Sequence, residues 1–356
     1  MKIQIDIGHP GHVHLFKNFA WQMQDKGHEI LFTCRDKEFE IYLLEAYGFN
    51  YKSFGKKYKK LIGKLFGLVK FDIQSIITAF QFKPDIFMSH GSMYVAHASF
   101  FFQKPHISFE DTFNMEQVKL YSPFTEVILV NDFIEPPLKT DNVIPYNGYH
   151  ELAYLHPNWF TPNSDIFEIL ELKEGEPYLI VRFVSWDASH DVGQGGLTLE
   201  YKERLINTLS KKINLFISSE GELPKSLKPY QIKIPAHKMH DALAYATLFI
   251  GEGATMASEC AVLGTPSIYI NTLDPLTIKE QEAYGLLFDY RNADGILEKA
   301  LELLNQNNLK EAFQAKREQL LSDKIDITAF TLWFVENYPD SHKIVKENPA
   351  YQLRFK

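Results

Sequence analysis

Three histidines crowd into one short segment, Gly8-His9-Pro10-Gly11-His12-Val13-His14. Imidazole is the side chain whose ordinary pKa lies closest to neutrality, so such a cluster suits proton transfer at a hydroxyl. His9 and His12 read as part of the turn after Lys2-Ile3-Gln4-Ile5-Asp6-Ile7, whereas His14 opens the helix that follows. His9 and His12 are therefore the candidates for a general base, with Gly11 beside them as a substrate contact. A histidine near a helix start also serves as a cap or a packed ring, which accounts for part of the cluster without catalysis. Alternating histidines suit a metal as well, but no carboxylate or cysteine completes a local site, so no metal is expected.

The second segment is Gly251-Glu252-Gly253-Ala254-Thr255-Met256-Ala257-Ser258-Glu259-Cys260-Ala261-Val262-Leu263-Gly264-Thr265-Pro266. It follows the apolar strand Leu248-Phe249-Ile250, so its small residues sit in a strand-to-helix turn. Amides at a helix start, with the helix dipole, hold a diphosphate, and small side chains let the ligand approach. Glu259 falls about one helical turn past Thr255, where a carboxylate accepts hydrogen bonds from ribose hydroxyls. A plain tight turn with a solvated Glu259 is the simpler alternative. The complete order of strand, turn, helix, Gly-Thr-Pro and strand favours the ligand site.

Other strand ends carry reactive groups. Ser89-His90-Gly91-Ser92 and Ser108-Phe109-Glu110-Asp111-Thr112 each close an apolar run and bring His90, Ser92, Glu110 and Asp111 to the carboxyl end of a sheet. Glu110 and Asp111 suit acid/base work, although Asp111 serves equally well as a helix cap. Arg182-Phe183-Val184-Ser185-Trp186-Asp187-Ala188-Ser189-His190-Asp191 ends a later strand. Arg182 there sets a fixed charge against a diphosphate leaving group, or else forms a surface ion pair, and His190 is a further substrate contact. Gly193-Gln194-Gly195-Gly196 follows as a loop that orders over bound donor, or as a plain flexible one.

A repeated alternation of strand and helix is needed to hold these segments, and the chain has two such series. The first reads as a strand at 2–7, a helix at 14–26, a strand at 29–33, a helix at 39–47, a strand at 84–89, a helix at 94–102 and strands at 105–109 and 127–131. Residues 132–165 hold Pro136, Pro137, Pro145, Pro157 and Pro162 and read as the inter-domain crossing. The second series has a strand at 178–184, a helix at 198–211, strands at 214–218, 231–234 and 247–250, a helix at 255–263 and a strand at 266–270. Two such series predict an α/β chain of two Rossmann-like domains facing across a cleft. The expected domains are 1–150, which carries the histidine turn, and 165–325, which carries the Gly251 turn, with a helical segment at 326–356 that returns to the first domain.

At 356 residues, with 45% hydrophobic and 23% charged residues, the chain is a folded protein with room for two such cores. A formal charge of −8 argues against a general nucleic-acid binder, which needs a dense basic surface. Cys34 and Cys260 are the only cysteines and have no paired or zinc-type spacing. The N-terminus reads as a first strand without the apolar core of a signal peptide, and no run is long enough to span a bilayer, so a cytoplasmic protein is expected. Lys56 to Lys70 concentrates lysines beside apolar residues, the composition of a helix lying on the inner face of a membrane. An amphipathic helix packing its apolar face on the sheet fits that stretch equally well.

The segment from Gly251 to Pro266 resembles the donor-binding motif of GT-B enzymes, including the non-hydrolysing UDP-N-acetylglucosamine 2-epimerases and the N-acetylglucosaminyl transferase of peptidoglycan synthesis. Their pattern also runs from a small-residue turn through Glu to Leu-Gly-x-Pro. The resemblance implies that Gly253, Ala254, Thr255 and Met256 lie at the diphosphate and Glu259 at the ribose, with Glu252 where epimerases usually carry Asp. It implies that the loop from Gly8 to His14 faces acceptor and donor sugar, so that His9 or His12 takes the acceptor proton. Epimerases end one strand on Gly-Asp and the next on a Glu-containing turn. Glu110 matches, but Ser92 replaces the Asp, leaving Asp111 as a substitute carboxylate. The loop after Arg182 also departs from their His-Arg and Glu order. The implied activity is a glycosyltransferase that moves a sugar from a nucleotide diphosphate donor, UDP-linked, to an envelope glycan or glycolipid. The nucleotide sugar is then substrate, with no cofactor. The alternatives are a 2-epimerase using Glu110, Asp111 and His190, and a catalytically silent nucleotide-sugar binder.

Overall fold

The strands at 2–7, 86–90, 106–110, 127–131, 178–183, 248–251 and 267–270 are buried along almost their whole length, with little alternation between buried and exposed positions; in the first, even Gln4 and Asp6 are fully covered between Ile3, Ile5 and Ile7. Such burial marks parallel sheets covered by helices on both faces. The computed structural model describes residues 1–56, 61–135, 141–184, 197–219 and 221–356, without the side chains of residues 61, 62, 64 and 65.

In chain order the first elements are β1 (Lys2–Ile7), α1 (Pro10–Asp25), β2 (Glu29–Asp36), α2 (Glu40–Ala46), β3 (Tyr51–Lys56), α3 (Leu61–Phe82), β4 (Ile86–His90), α4 (Met93–Phe102), β5 (His106–Glu110), α5 (Met115–Tyr121), β6 (Val127–Asn131) and β7 (Val143–Tyr146). The strands form one parallel sheet in the order β3-β2-β1-β4-β5-β6-β7. The strand order reverses between β1 and β4, so their carboxyl ends open the crevice in which such sheets take ligands. The register sets Asp6 of β1 beside Thr33 of β2 and Ser89 of β4.

Two short helices follow, α6 (Leu152–Leu155) and α7 (Ile166–Ile169). The next series is β8 (Tyr178–Phe183), α8 (Leu199–Leu209), β9 (Asn214–Ser219), α9 (Met239–Tyr245), β10 (Leu248–Gly251), α10 (Ala254–Leu263), β11 (Ser267–Ile270), α11 (Leu276–Ala283), β12 (Leu287–Tyr290), α12 (Ile296–Leu304) and α13 (Leu309–Asp323). Its parallel sheet has the order β12-β11-β10-β8-β9, with the reversal at β8 and β10. The chain closes with α14 (Ile327–Glu336) and α15 (Asp340–Glu347). It divides into two compact units, Met1–Tyr154 with Lys324–Lys356, and Leu155–Asp323. In the first, α14 packs on α1, and Thr328 donates to the carbonyl of Ala153 at 2.7 Å.

Three local features differ from the sequence reading. The first helix begins at Pro10, before His14, because proline's fixed φ and missing N–H suit the first helical position, so His12 lies inside the first turn. The stretch at 231–234 is no strand. It is bracketed by 3-10 turns at Lys228–Tyr230 and Ala236–Lys238 and makes a single bridge, Gln231 to Ile217. Within the proline-rich crossing, 143–146 is the strand β7. Pro145 has no N–H to donate, and it is accommodated because β7 is the edge of the sheet.

Candidate functional site

At the end of the first sheet, Asp6 is a fully buried carboxylate with every oxygen engaged. Its Oδ1 accepts from Thr33 at 2.7 Å, and its Oδ2 accepts from Arg35 at 2.5 Å and from Ser92 at 2.6 Å. Arg35 in turn lies over the Tyr94 ring, 5.0 Å from its centroid. A Cβ on Gly8 would come within 3.1 Å of the Arg35 guanidinium, so a larger residue in the turn would press on this ion pair.

Four imidazoles gather beside that carboxylate. His9 caps α1 by accepting from the Gly11 amide through Nδ1 at 3.1 Å, and His12 Nδ1 accepts from the Gly8 amide at 3.3 Å. Each neutral ring therefore carries its proton on Nε2. His12 stacks on His90 with centroids 4.5 Å apart, and His90 meets His150 edge to face at 4.9 Å. Asp111 joins the latter two: its Oδ1 lies 3.1 Å from His90 Nε2 and its Oδ2 lies 3.1 Å from His150 Nδ1. Burial alone would raise the Asp111 carboxyl, but the charges and hydrogen bonds of His150 and His90 outweigh it and hold the group well below its ordinary value. For His90, burial is outweighed by Asp111, and the imidazole is raised. His12 is driven well below its ordinary value by burial first and then by the neighbouring imidazoles His90 and His9.

His150 Nε2 is buried and has no hydrogen-bond partner among the described residues. With Nδ1–H directed at Asp111, Nε2 is the lone-pair nitrogen of the neutral ring; the residue lies in the turn that follows the edge strand β7, past Asn147, Gly148 and Tyr149. His90, Asp111 and His150 also offer ligand atoms within 4.8 Å of one another, the donor set of a divalent-metal site.

Glu110 is differently placed. Its Oε1 accepts from the amides of Asp111, Thr112 and Phe113 at 3.1, 3.0 and 2.9 Å and from the Thr112 hydroxyl at 3.1 Å, while Oε2 accepts from Tyr121 at 2.6 Å. Against burial, the His90 charge and these bonds lower its pKa. The carboxylate is the knot of the turn after β5. Gly91, at φ +60°, sits so close that a Cβ would fall 3.2 Å from Glu110 Oε2.

At the end of the second sheet, Glu252 and Lys202 form a buried ion pair at 3.0 Å, with 5% and 3% of each residue exposed. Glu252 also accepts from the amides of Val184 and Leu197, both at 3.0 Å, and its amide donates to the Arg182 carbonyl. It thereby ties the end of β8 to the end of β10. Gly253 is the N-cap of α10 and supplies no side-chain cap, so the amides of the turn through Ala254, Thr255 and Met256 are left to a ligand or to water. Thr255 is exposed. Glu259 is buried and lies 3.0 Å from His240 Nε2. One arm of Arg182 donates to Ser218 at 2.9 Å. His190 and the glycine loop at 193–196 lie outside the described residues. A cavity of about 270 Å³, lined by Pro177, Tyr245, Thr247 and Pro266 among others, lies at the amino ends of β8, β10 and β11; no candidate site residue lines it.

Residues 1–329 match the model of a family described as protein of unknown function, DUF354. The chain belongs to the DUF354 family. The uncharacterized protein MJ0665 of Methanocaldococcus jannaschii is 25% identical to this DUF354 protein over 287 residues, 75% of this chain and 81% of that one. The UDP-GlcNAc 2-epimerase of Neisseria meningitidis, solved bound to UDP-GlcNAc, is similar with a TM-score of 0.61 at 14% identity, covering 90% of this chain and all (100%) of that one. The glycosyltransferase VinC, solved with dTDP, gives 0.59 at 10% identity, covering 94% and 99%. These likenesses establish the fold. The DUF354 protein has two Rossmann-like domains of the GT-B kind, shared by epimerases and glycosyltransferases.

The structure thus gathers His9, Gly11, His12, His90, Ser92, Glu110 and Asp111 at one sheet end of the DUF354 protein, and Arg182, Gly253, Ala254, Thr255, Met256 and Glu259 at the end of the other sheet. Sequence reasoning passed over Asp6, Arg35, His150, Lys202 and His240. For Asp6 the sequence pointed the other way, because Lys2, Gln4 and Asp6 alternate with Ile3, Ile5 and Ile7 as on a half-exposed strand.

Proposed function

We propose that this DUF354 protein is a glycosyltransferase that moves a sugar from a nucleotide diphosphate donor, UDP-linked, to a hydroxyl of an envelope glycan or glycolipid. One observation carries the choice over epimerisation. Asp6, Glu110 and Asp111, the carboxylates at the ends of β1 and β5, have both oxygens occupied by internal partners, whereas imidazole nitrogens remain for substrate. An epimerase that eliminates and re-adds needs carboxylates to move protons; a displacement needs one base and a stabilised leaving group.

In this reading His150 takes the acceptor proton. Asp111 fixes its tautomer and steadies the imidazolium that forms, the arrangement of a base oriented by a carboxylate. A buried acceptor nitrogen without a partner costs about 1–3 kcal/mol, and a substrate hydroxyl removes that cost. His12, neutral with its proton on Nε2, donates to the acceptor oxygen, and His9, His90, Gly11 and Ser92 shape the surface around it. In the second unit the uncapped amides at Gly253, Ala254, Thr255 and Met256, with Arg182, receive the diphosphate, and Glu259, steadied by His240, receives the ribose.

The test is incubation of the purified protein with UDP-, dTDP- and GDP-sugars, with and without a lipid extract, comparing wild type with His150→Gln and Glu259→Ala. Transfer is expected. His150→Gln lowers turnover on the order of a hundred- to a thousandfold with nucleotide binding intact, and Glu259→Ala weakens nucleotide binding. An epimer formed from donor alone would replace this reading with the isomerase one. Binding without turnover under every condition would leave a silent binder, and no binding at all would remove the nucleotide-sugar assignment.

A further inference from the structure

The outward face of α3 is apolar where a surface helix is ordinarily polar. Phe66, Val69, Ile73, Ile77 and Phe80 recur at intervals of three or four residues, and all are exposed, Phe66 by 62% and Phe80 by 69%. At a 1.5 Å rise they make a stripe of about 20 Å along the helix. The opposite face, through Gly67, Phe71, Ser75 and Ala79, is already buried in the first unit, so the stripe is not the side that packs on the sheet. Phe100 and Phe101 of α4, which packs beside α3, are also exposed, by 64% and 65%. Contiguous apolar surface of this kind marks a docking face.

Charge identifies the occupant. Lys56 to Lys70 holds six lysines and no acidic residue, in a chain whose formal charge is −8. The first acidic residue beyond, Asp72, is paired with His97 at 3.0 Å. No helix among the described residues is long and apolar enough to cross a membrane. We infer that the face of α3 and α4 docks on an anionic lipid surface, with the stripe entering the acyl boundary and the positive charge of this stretch of sequence favouring phosphate headgroups. A second copy meeting this face would offer no acidic side chain on the stripe for those lysines. The inference rests on this surface and not on the reaction proposed above.

The test is flotation of the full-length protein with vesicles of phosphatidylcholine alone and with about a third phosphatidylglycerol, at low and high salt, together with light scattering of the free protein. Ile73→Glu/Ile77→Glu changes only outward-facing positions. Lys57→Gln/Lys59→Gln/Lys60→Gln removes charge. Wild type is expected to float with the anionic vesicles alone, the glutamate variant to stay in solution, and the lysine variant to partition about fivefold more weakly per lysine removed. Equal recovery with both vesicles, no recovery with either, or binding unchanged in the glutamate variant would overturn the inference. So would a stable dimer in solution that the glutamate variant dissolves, because the face would then be covered by a second copy.

Discussion

The ends of the two sheets use charge in opposite ways. At the first, Asp111 is a third exposed and divides its oxygens between two imidazoles, so the charge orients side chains and leaves His150 Nε2 for a ligand. At the second, Glu252 and Lys202 are almost wholly buried and bonded to each other and to main-chain amides, and the surface they leave is backbone: the Gly253 turn and the first amides of α10. On the proposed reading the difference separates two tasks. A diphosphate needs fixed dipoles and close approach, for which side chains brace the main chain from behind. A hydroxyl that must lose a proton needs a side chain with a free lone pair.

The largest effect that sharpens this contrast is on stability. Lys202→Met leaves Glu252 buried and unpaired and is expected to cost about 3–5 kcal/mol in urea denaturation. Adding Glu252→Gln should restore part of the loss by removing the buried charge, although its single carbonyl oxygen accepts from only one of the Val184 and Leu197 amides. Asp111→Asn, at a more exposed position, should cost less while removing the orientation of His150. If Lys202→Met were no more destabilising than Asp111→Asn, the bracing role of the second pair would be wrong.

The legible and illegible parts of this site divide by range. The turn from Gly251 into α10 could be read because a strand, a small-residue turn and a helix are consecutive in the chain, and sheet order then places them at the β8 and β10 reversal. The histidine turn was legible for the same reason, with its helix boundary misplaced because Pro10 reads as a breaker although it suits a helix start. His150 was hidden twice over: it follows a strand masked by Pro145, and its partner Asp111 comes from the end of a strand two positions away in the sheet. Glu110 had the right residue type in the right place, yet its bonds to three amides, Thr112 and Tyr121 depend on a turn geometry that no spacing discloses. The Lys202 and Glu252 pairing is of the same long-range kind.

A smaller, pH-dependent effect tests how the first end is braced. His106 is fully buried: Nδ1 lies 2.8 Å from Thr125 Oγ1, which itself donates to the Tyr121 carbonyl, so the ring donates from Nδ1 and accepts the Ser89 hydroxyl at Nε2, 2.9 Å away. Ser89 Oγ in turn accepts from the Ser92 amide at 3.1 Å. Burial pushes His106 down to about 3. Because its folded pKa lies below the unfolded value near 6.5, its contribution is complete above about pH 6.5 and is lost as pH falls toward 3, at about 1.4 kcal/mol per pH unit. At pH 5 wild type should therefore have lost roughly 2 kcal/mol through this group relative to pH 7.5. His106→Gln should be less stable at neutral pH but show a shallower acid slope. Parallel slopes for the two proteins would mean that His106 does not hold the turn in its neutral form.

The smallest effect is an expected null, and it decides what the His90, Asp111 and His150 cluster is. The same donor set fits either a proton-bonded triad or a divalent cation. The two nitrogens facing Asp111 address different oxygens of the carboxylate, each at a hydrogen-bond distance of 3.1 Å, and a metal at that centre would require both imidazoles to give up the proton they direct at Asp111. A base oriented by its carboxylate keeps those protons. Adding Zn2+ or Mn2+ to chelator-treated protein should then leave the melting temperature unchanged. A cation held at a hundred times its Kd would instead add about 2.7 kcal/mol, and a rise of several degrees, abolished in His150→Ala, would turn the cluster into a metal centre. His150 would then be a ligand, and the acceptor proton would have to leave by another route.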